Sequence, residues 1–353
     1  MDTSFQANVE HATRPPVGVD SSQFAPPFWL HFWAWFTVLA TFPLLTLGAE
    51  VTTKGVGMVD HEGYRHPWEV WTIWVREGLE NNRLDYFLEH SHRIMGFVVG
   101  SCVIVLMLGL WCTAKRTWLK WIGVVALLSV VGQGLLGIFR VDLNATMGRN
   151  LALVHGCTAQ LVFGLLTTIA VCTAPGWWKP TQEHPENRPS RNRLRYVAIF
   201  TTILIYSQLV LGGFVRHSIM PGSTVYLAGR LHILGAFVVT GMIFWLMREA
   251  VGRHHLRRDV RVVAFLLGVL LFGQVALGTE AWLYKFQFDS MVQNGAVHVA
   301  AVQQSLLRSL HYVLGSALFG TALALTVLTF RPTTVLSGRS LSPTVKACVE
   351  EVA

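Results

Sequence analysis

Apolar residues gather along this chain into long runs separated by short polar stretches. Eight runs reach the roughly 20 residues that an α-helix needs to cross the hydrocarbon core of a bilayer. They span 28–48, 91–113, 119–139, 150–172, 196–216, 230–248, 260–281 and 309–330, and only the connections 49–88 and 282–308 are long. Irregular backbone cannot face lipid, so the pattern predicts an all-α integral membrane protein built from eight transmembrane helices.

The runs repeat. The third carries GQGLLG from position 132 and the seventh GQVALG from 273, 141 residues apart, while His92 opens the second and His232 the sixth, 140 apart. His155 near the start of the fourth and His311 near the start of the eighth are 156 apart, the surplus being taken up by the longer connection 282–308. LGAEVTTKG ends the first run and LGGFVRH the fifth. Four is an even number, so both halves have one orientation, and the expected arrangement is two four-helix half-bundles related by a pseudo-twofold axis along the membrane normal. The expected organisation is a cytoplasmic tail 1–27, an N-terminal half 28–172, a cytoplasmic linker 173–195, a C-terminal half 196–330 and a cytoplasmic tail 331–353.

Composition supports this picture: 52% of residues are hydrophobic and 14% charged, against about 25% charged in ordinary soluble domains. The net charge of +8 is not gathered into basic blocks interleaved with aromatics, so a nucleic-acid partner is not expected. It reads as a topology signal: 17 Lys and Arg fall on the side of both termini, and 10 on the side that includes the two longest connections. Both termini are thus expected in the cytoplasm of a multi-pass cell-membrane protein. The first 27 residues lack the features of a removable signal peptide, so the first helix is expected to be retained. Cys102, Cys112, Cys157 and Cys172 lie in helices and Cys348 in the C-terminal tail, which argues against disulfides and against a thiolate metal site.

The repeat changes how the histidines read. Of 14, four lie inside helices 2, 4, 6 and 8, one per helix at matching places, and ionisable groups within membrane segments are functional by default. Two imidazoles facing one another across a four-helix bundle suit a haem iron with one ligand on each side. Zinc would want about four ligands close together, which two separated pairs supply poorly. Gly96, Gly100, Gly156 and Gly235 flank the histidines, and either a flat macrocycle or close helix packing accounts for them. Glu89 precedes His92 by three residues and shares its helix face, whereas the second half has Arg230 two residues before His232 and no nearby carboxylate. That asymmetry suits one haem that is worked on and another that delivers electrons. Its plain alternative is an Glu89–Arg93 ion pair. Gln133 and Gln274 are expected to donate interhelical hydrogen bonds, and His90 and Lys54 to be outer-edge residues without a role.

E-x-x-H-R at 89–93, the four placed histidines, the glutamine–glycine signals of helices 3 and 7, and VTTKGVGM at 51–58 together resemble the heme A synthase family over about residues 28–330. The resemblance implies an oxidoreductase of cytochrome oxidase assembly that converts a methyl group of heme O to a formyl group by successive hydroxylations. It implies that His92 and His155 bracket the substrate haem and that His232 and His311 ligate the iron of a heme b cofactor. Glu89 takes the position essential to catalysis, and Arg93 and Arg230 are candidate partners for haem propionates. The implied partners are heme O, an electron carrier and membrane lipid, with the heme O-forming prenyltransferase and a second copy of the chain as further candidates. Two departures stand out: the outer loop 49–88 has no cysteine pair, and RLHI replaces an H-R pair in the sixth helix. The alternative is a di-haem membrane cytochrome b subunit that passes electrons without modifying haem. It predicts haems near opposite faces, whereas all four histidines lie toward one face. A transporter with parallel repeats predicts midplane histidines and broken helices. A prenyltransferase is excluded by the absence of an N-D-x-x-D pair.

Overall fold

The computed structural model describes residues 24–61, 65–183, 187–217, 223–251, 258–292 and 297–335. Most of both expected tails, and with them Cys348, therefore lie outside the described residues. The eight long helices are α1 (Phe28–Lys54), α2 (Leu84–Thr113), α3 (Thr117–Asp142), α4 (Asn144–Thr173), α5 (Arg188–His217), α6 (Ser223–Val251), α7 (Arg258–Val292) and α8 (Val297–Thr329). Each contains a stretch long and apolar enough to cross a membrane. Faces with no protein partner carry side chains such as Phe237 and Phe272, which are 73% and 80% exposed and need lipid around them. The strands among the described residues are β1 (Thr181–Glu183) and β2 (Thr333–Val335), which pair in parallel and tie the linker between the halves to the chain that follows α8.

The helices form two closed rings. α1 packs on α2, α2 on α3, α3 on α4 and α4 on α1; α5, α6, α7 and α8 close the second ring in the same order. The rings meet through α4 with α8, α4 with α5, and α8 with α1. Exchanging each helix of the first ring for its counterpart in the second leaves this set of neighbours unchanged, which is consistent with two equivalent half-bundles.

Several helices are longer than hydropathy indicates. α2 begins at Leu84 and not at 91, α4 at Asn144 and not at 150, α6 at Ser223 and not at 230, and α8 at Val297 and not at 309. All four extensions project from the end that carries the 49–88 connection, here termed the loop end. In α2, neighbouring protein covers the extra turns: Trp74 stacks on Phe87 at 5.9 Å between ring centres and donates its Nε1–H to Ser91 Oγ at 2.9 Å. Polar residues can continue a helix beyond hydrocarbon once protein supplies their partners, which a hydropathy window does not register.

Packing is tightest at the opposite end. Leu30, Leu106, Leu110, Leu119, Leu166, Ile169, Leu194, Ile243, Leu246, Leu267 and Leu325 are the largest fully buried aliphatic side chains. Every one lies in the half of its helix remote from the loop end. The sealed core thus sits near the termini, and the looser half of the bundle holds the four histidines.

Candidate haem site in each half-bundle

Each of the four histidines meets a glycine on the preceding helix. A Cβ at Gly48 of α1 would come 2.8 Å from His92 Cε1, one at Gly212 of α5 3.1 Å from His232 Cε1, and one at Gly278 of α7 2.9 Å from His311 Cε1. At Gly137 of α3 the corresponding distance to His155 Cε1 is 3.9 Å. These glycines belong to the LGAE, LGGF, LLGI and ALGT stretches that mark the repeat, so the repeated glycine is the place where an imidazole lies against backbone. Carbonyls and amides then orient the rings. His92 donates Nδ1–H to Leu44 O at 3.1 Å, which leaves its Nε2 lone pair to accept a metal. Gln133 and Gln274 bridge helices as expected. The Gln133 amide reaches His155 Nδ1 at 3.2 Å, and Gln274 Nε2 stands 3.3 Å from His311 Nε2.

The donor set fits an iron held from two sides. His232 and His311 have ring centres 6.3 Å apart and planes at 83°. A ring nitrogen lies about 1 Å from the centre of its imidazole and a metal–imidazole bond is about 2 Å, so two imidazoles on opposite sides of one ion stand roughly 6 Å apart. Nδ1 of each of these two rings is enclosed without a hydrogen-bond partner. Among the described residues, no group of three His, Cys, Asp or Glu gathers closely enough to hold a metal ion on its own.

The flanking glycines divide between the two explanations open from sequence. A Cβ at Gly96, Gly100 or Gly156 would meet no atom within 4 Å, and neither would one at Gly132 or Gly134. These positions border open space in the first half, so close helix packing is not their reason. Gly235 does follow the packing explanation: the Gln208 amide lies where its side chain would be, 1.6 Å from the Cβ position.

Glu89 is 3% exposed and His90 0%. Glu89 Oε1 accepts a short hydrogen bond from Arg93 Nη2, and Oε2 accepts the backbone N–H of Val59 at 2.8 Å and of Asp60 at 3.4 Å. Arg93 also donates Nη1 to Asp60 Oδ2 at 3.0 Å and Nη2 to Asp60 O at 2.9 Å. Its guanidinium is thereby engaged by two carboxylates of the chain itself. His90, left without a role from sequence, is a buried member of the same network. It donates Nδ1–H to Tyr86 O at 3.1 Å, places Nε2 3.3 Å from Asp60 Oδ2, and stacks on the Tyr86 ring at 5.7 Å. Arg230, by contrast, stands exposed on α6.

Sequence reasoning missed Asp60, the hub of this network, and Arg140 of α3, which is in electrostatic contact with Glu89, His92 and His155. Asp60 lies two residues past VTTKGVGM, and Arg140 three past the glycine of LLG; those offsets were the available signals. The backbone that carries Asp60 over the site is set by Gly55, whose φ of 68° ends α1 in a left-handed turn, with Val56 N bonding back to Val51 O at 3.1 Å. Beyond it, the short helix Val70–Ile73 and the π-helical turn Trp74–Glu80 strap α2. There Glu77 titrates below the usual carboxylate range because Asn81 and Arg76 hydrogen-bond its charged form.

The sequence model of a family described as cytochrome oxidase assembly protein matches residues 61–221, which include Glu89, His92 and His155. A curated heme A synthase from Alkalihalophilus pseudofirmus is 26% identical over 246 residues, covering 69% of this chain and 75% of that protein. No solved structure matches. The paired histidines in their glycine cradles and the buried E-x-x-H-R cluster stand beside these two matches, and the chain is similar to heme A synthases and to cytochrome oxidase assembly proteins.

Proposed function

We propose that the protein is a membrane heme A synthase, oxidising a methyl group of heme O to a formyl group. The half 28–172 receives the substrate between His92 and His155, and the half 196–330 holds heme b between His232 and His311. The observation that carries this reading is the asymmetry of two otherwise matched cradles. Both halves present a histidine pair backed by glycine and glutamine, but only the first has a buried carboxylate three residues from its histidine.

With water as the oxygen source, methyl becomes formyl as R–CH3 + H2O → R–CHO + 4 H+ + 4 e−, so the step needs a proton acceptor and an electron exit. Heme b, when bound, supplies one-electron transfer to or from an external carrier. Glu89 is the proton acceptor. Three N–H groups donate to it, two from the loop backbone at Val59 and Asp60 and one from Arg93, which keeps the side chain aimed for a general-base role. The His92 Nδ1–H bond to Leu44 O fixes the imidazole whose Nε2 faces the substrate iron. Both termini lie in the cytoplasm and the haem sites toward the outer face, as the basic residues of the connections indicate.

The test is to express the chain in a host that makes heme O but no heme A, and to extract and chromatograph the haems of the purified protein. Heme A, with heme b retained, is the expected result. Heme b alone despite a supply of heme O would sink the synthase reading and favour a di-haem electron-transfer subunit.

A further inference from the structure

Arginines that have no arginine counterpart in the other half converge near the seam between the rings, at the loop end. Arg140 lies three residues past Gly137 and close to the end of α3. A Cβ added at Gly57 of the covering loop would come 3.5 Å from Arg140 Nη2, and Arg140 Nε is enclosed without an acceptor. Arg216, at the end of α5, donates Nη2 to Ala49 O and to Thr53 Oγ1 of α1, each at 2.6 Å. Its guanidinium also lies 5.3 Å from the centre of the Tyr312 ring. Ala49 follows the glycine that supports His92, and Tyr312 follows His311. Arg216 therefore reaches from the support of one histidine pair to the neighbour of the other, and it is in electrostatic contact with Arg140, Arg308 and a single acid, Glu50.

The acids nearby do not balance these cations. Glu50 accepts from Ser305 at 3.2 Å and lies 3.8 Å from Lys54, and both Glu89 oxygens are taken by the contacts described above. A guanidinium cannot shed its proton to relieve burial, so cations crowded into a partly dry seam call for an anion. Symmetric packing does not explain them either: the repeat places Ala281 opposite Arg140 and Thr52 opposite Arg216.

We propose that Arg140 and Arg216 form a carboxylate-binding site at the seam, one that takes a propionate of the haem seated between His92 and His155. The inference rests on the haem reading of the first half and gives that haem a fixed orientation, with a propionate on the seam. A guanidinium fork suits a carboxylate in two-point contact.

The test uses the full chain, produced under haem limitation and placed in nanodiscs of zwitterionic lipid, titrated with ferric protoporphyrin haem and with its dimethyl ester while the Soret band is followed. The free acid should bind the wild type roughly ten- to a hundredfold more tightly than the ester in one of the two binding steps, the range expected for hydrogen bonds to a charged group. Arg140→Gln and Arg216→Gln should each erase that gap and leave ester binding unchanged, Arg140→Lys should restore most of it, and His92→Ala should abolish the effect of Arg140→Gln. Equal binding of acid and ester by the wild type overturns the proposal. So does equal weakening of both by the variants, which would mark a packing role, or an Arg140→Gln effect that survives His92→Ala, which would assign the site to the other haem. A change confined to the binding of anionic lipid, added to the nanodiscs in a further arm, would make it a headgroup site. No Soret response from the wild type would instead sink the haem reading itself.

Discussion

The two half-bundles share one scaffold and differ in what covers it. In both, a histidine lies on the backbone of the preceding helix where glycine leaves room, and a glutamine of the third or seventh helix reaches the histidine of the next. Above that level the halves part. The first has Glu89, Arg93, Asp60 and His90 knitted beneath a loop, while the position matching Glu89 is Gly229, against which the Trp282 ring packs at 3.6 Å from where a Cβ would be. The Gln208 amide fills the position beside Gly235 in the second half, while Gly96, Gly100 and Gly156 in the first half and Gly241 in the second meet no atom within 4 Å. A duplicated helix ring can thus present matched histidine pairs in two places while the covering segment gives only one of them a buried carboxylate.

The largest effects should come from the ligands themselves. His92→Ala or His155→Ala should abolish heme A formation and leave the spectrum of the second haem in place, whereas His232→Ala or His311→Ala should remove that spectrum; reduced-minus-oxidised spectra of the purified variants separate the two outcomes. If both sets erased the same band, the division of labour between halves would be wrong. Next comes Glu89→Gln, which keeps the shape of the side chain but not its charge. It should slow heme A production roughly a hundredfold or more while haem content stays constant.

Gly100→Leu sharpens the comparison differently, because its Cβ meets nothing. The melting temperature should hold while substrate haem is lost from the first half only, a result read by haem extraction. Gly48→Ala is smaller again: it drives a methyl to 2.8 Å from His92 and should destabilise by about 1–3 kcal/mol. Gly137→Ala, with 3.9 Å to spare, should be neutral or gain up to about 1 kcal/mol of helix propensity. Thermal melts of the pair measure the difference. The smallest effect belongs to Glu77, which is charged more easily in the fold than in the unfolded chain. Its contribution is present above the ordinary carboxylate range and lost as pH falls through its own lowered value. Glu77→Gln should accordingly lower the melting temperature slightly near neutrality and not at all in strong acid.

Much of this was legible in the sequence because membranes impose few solutions. Runs of apolar residues gave all eight helices, and the offsets between GQGLLG and GQVALG and between His92 and His232 exposed the duplication before any contact was visible. Four helix starts at the loop face lie six to twelve residues ahead of the apolar runs; LDYFLEH, for one, looks polar to a hydropathy window while Trp74 and Ser91 hold it in the fold. Asp60 escaped notice because nothing local distinguishes it from other acids of the loop, and its meaning comes from Arg93 and His90, which lie about 30 residues away in sequence and meet it only in three dimensions. His90 gave no signal for a similar reason, since its partner Tyr86 and its neighbour Asp60 are recognised only in the fold.

The way the rings join carries one more consequence. α2, α3, α6 and α7 find their main packing partners within their own ring, while α1, α4, α5 and α8 form the seam. Each pocket therefore has a protein back wall and a flank turned to the bilayer. A guest whose ring sits between histidines while its greasy tail stays among acyl chains never has to cross water. Under the function proposed above, delivery and collection become a matter of diffusion in two dimensions.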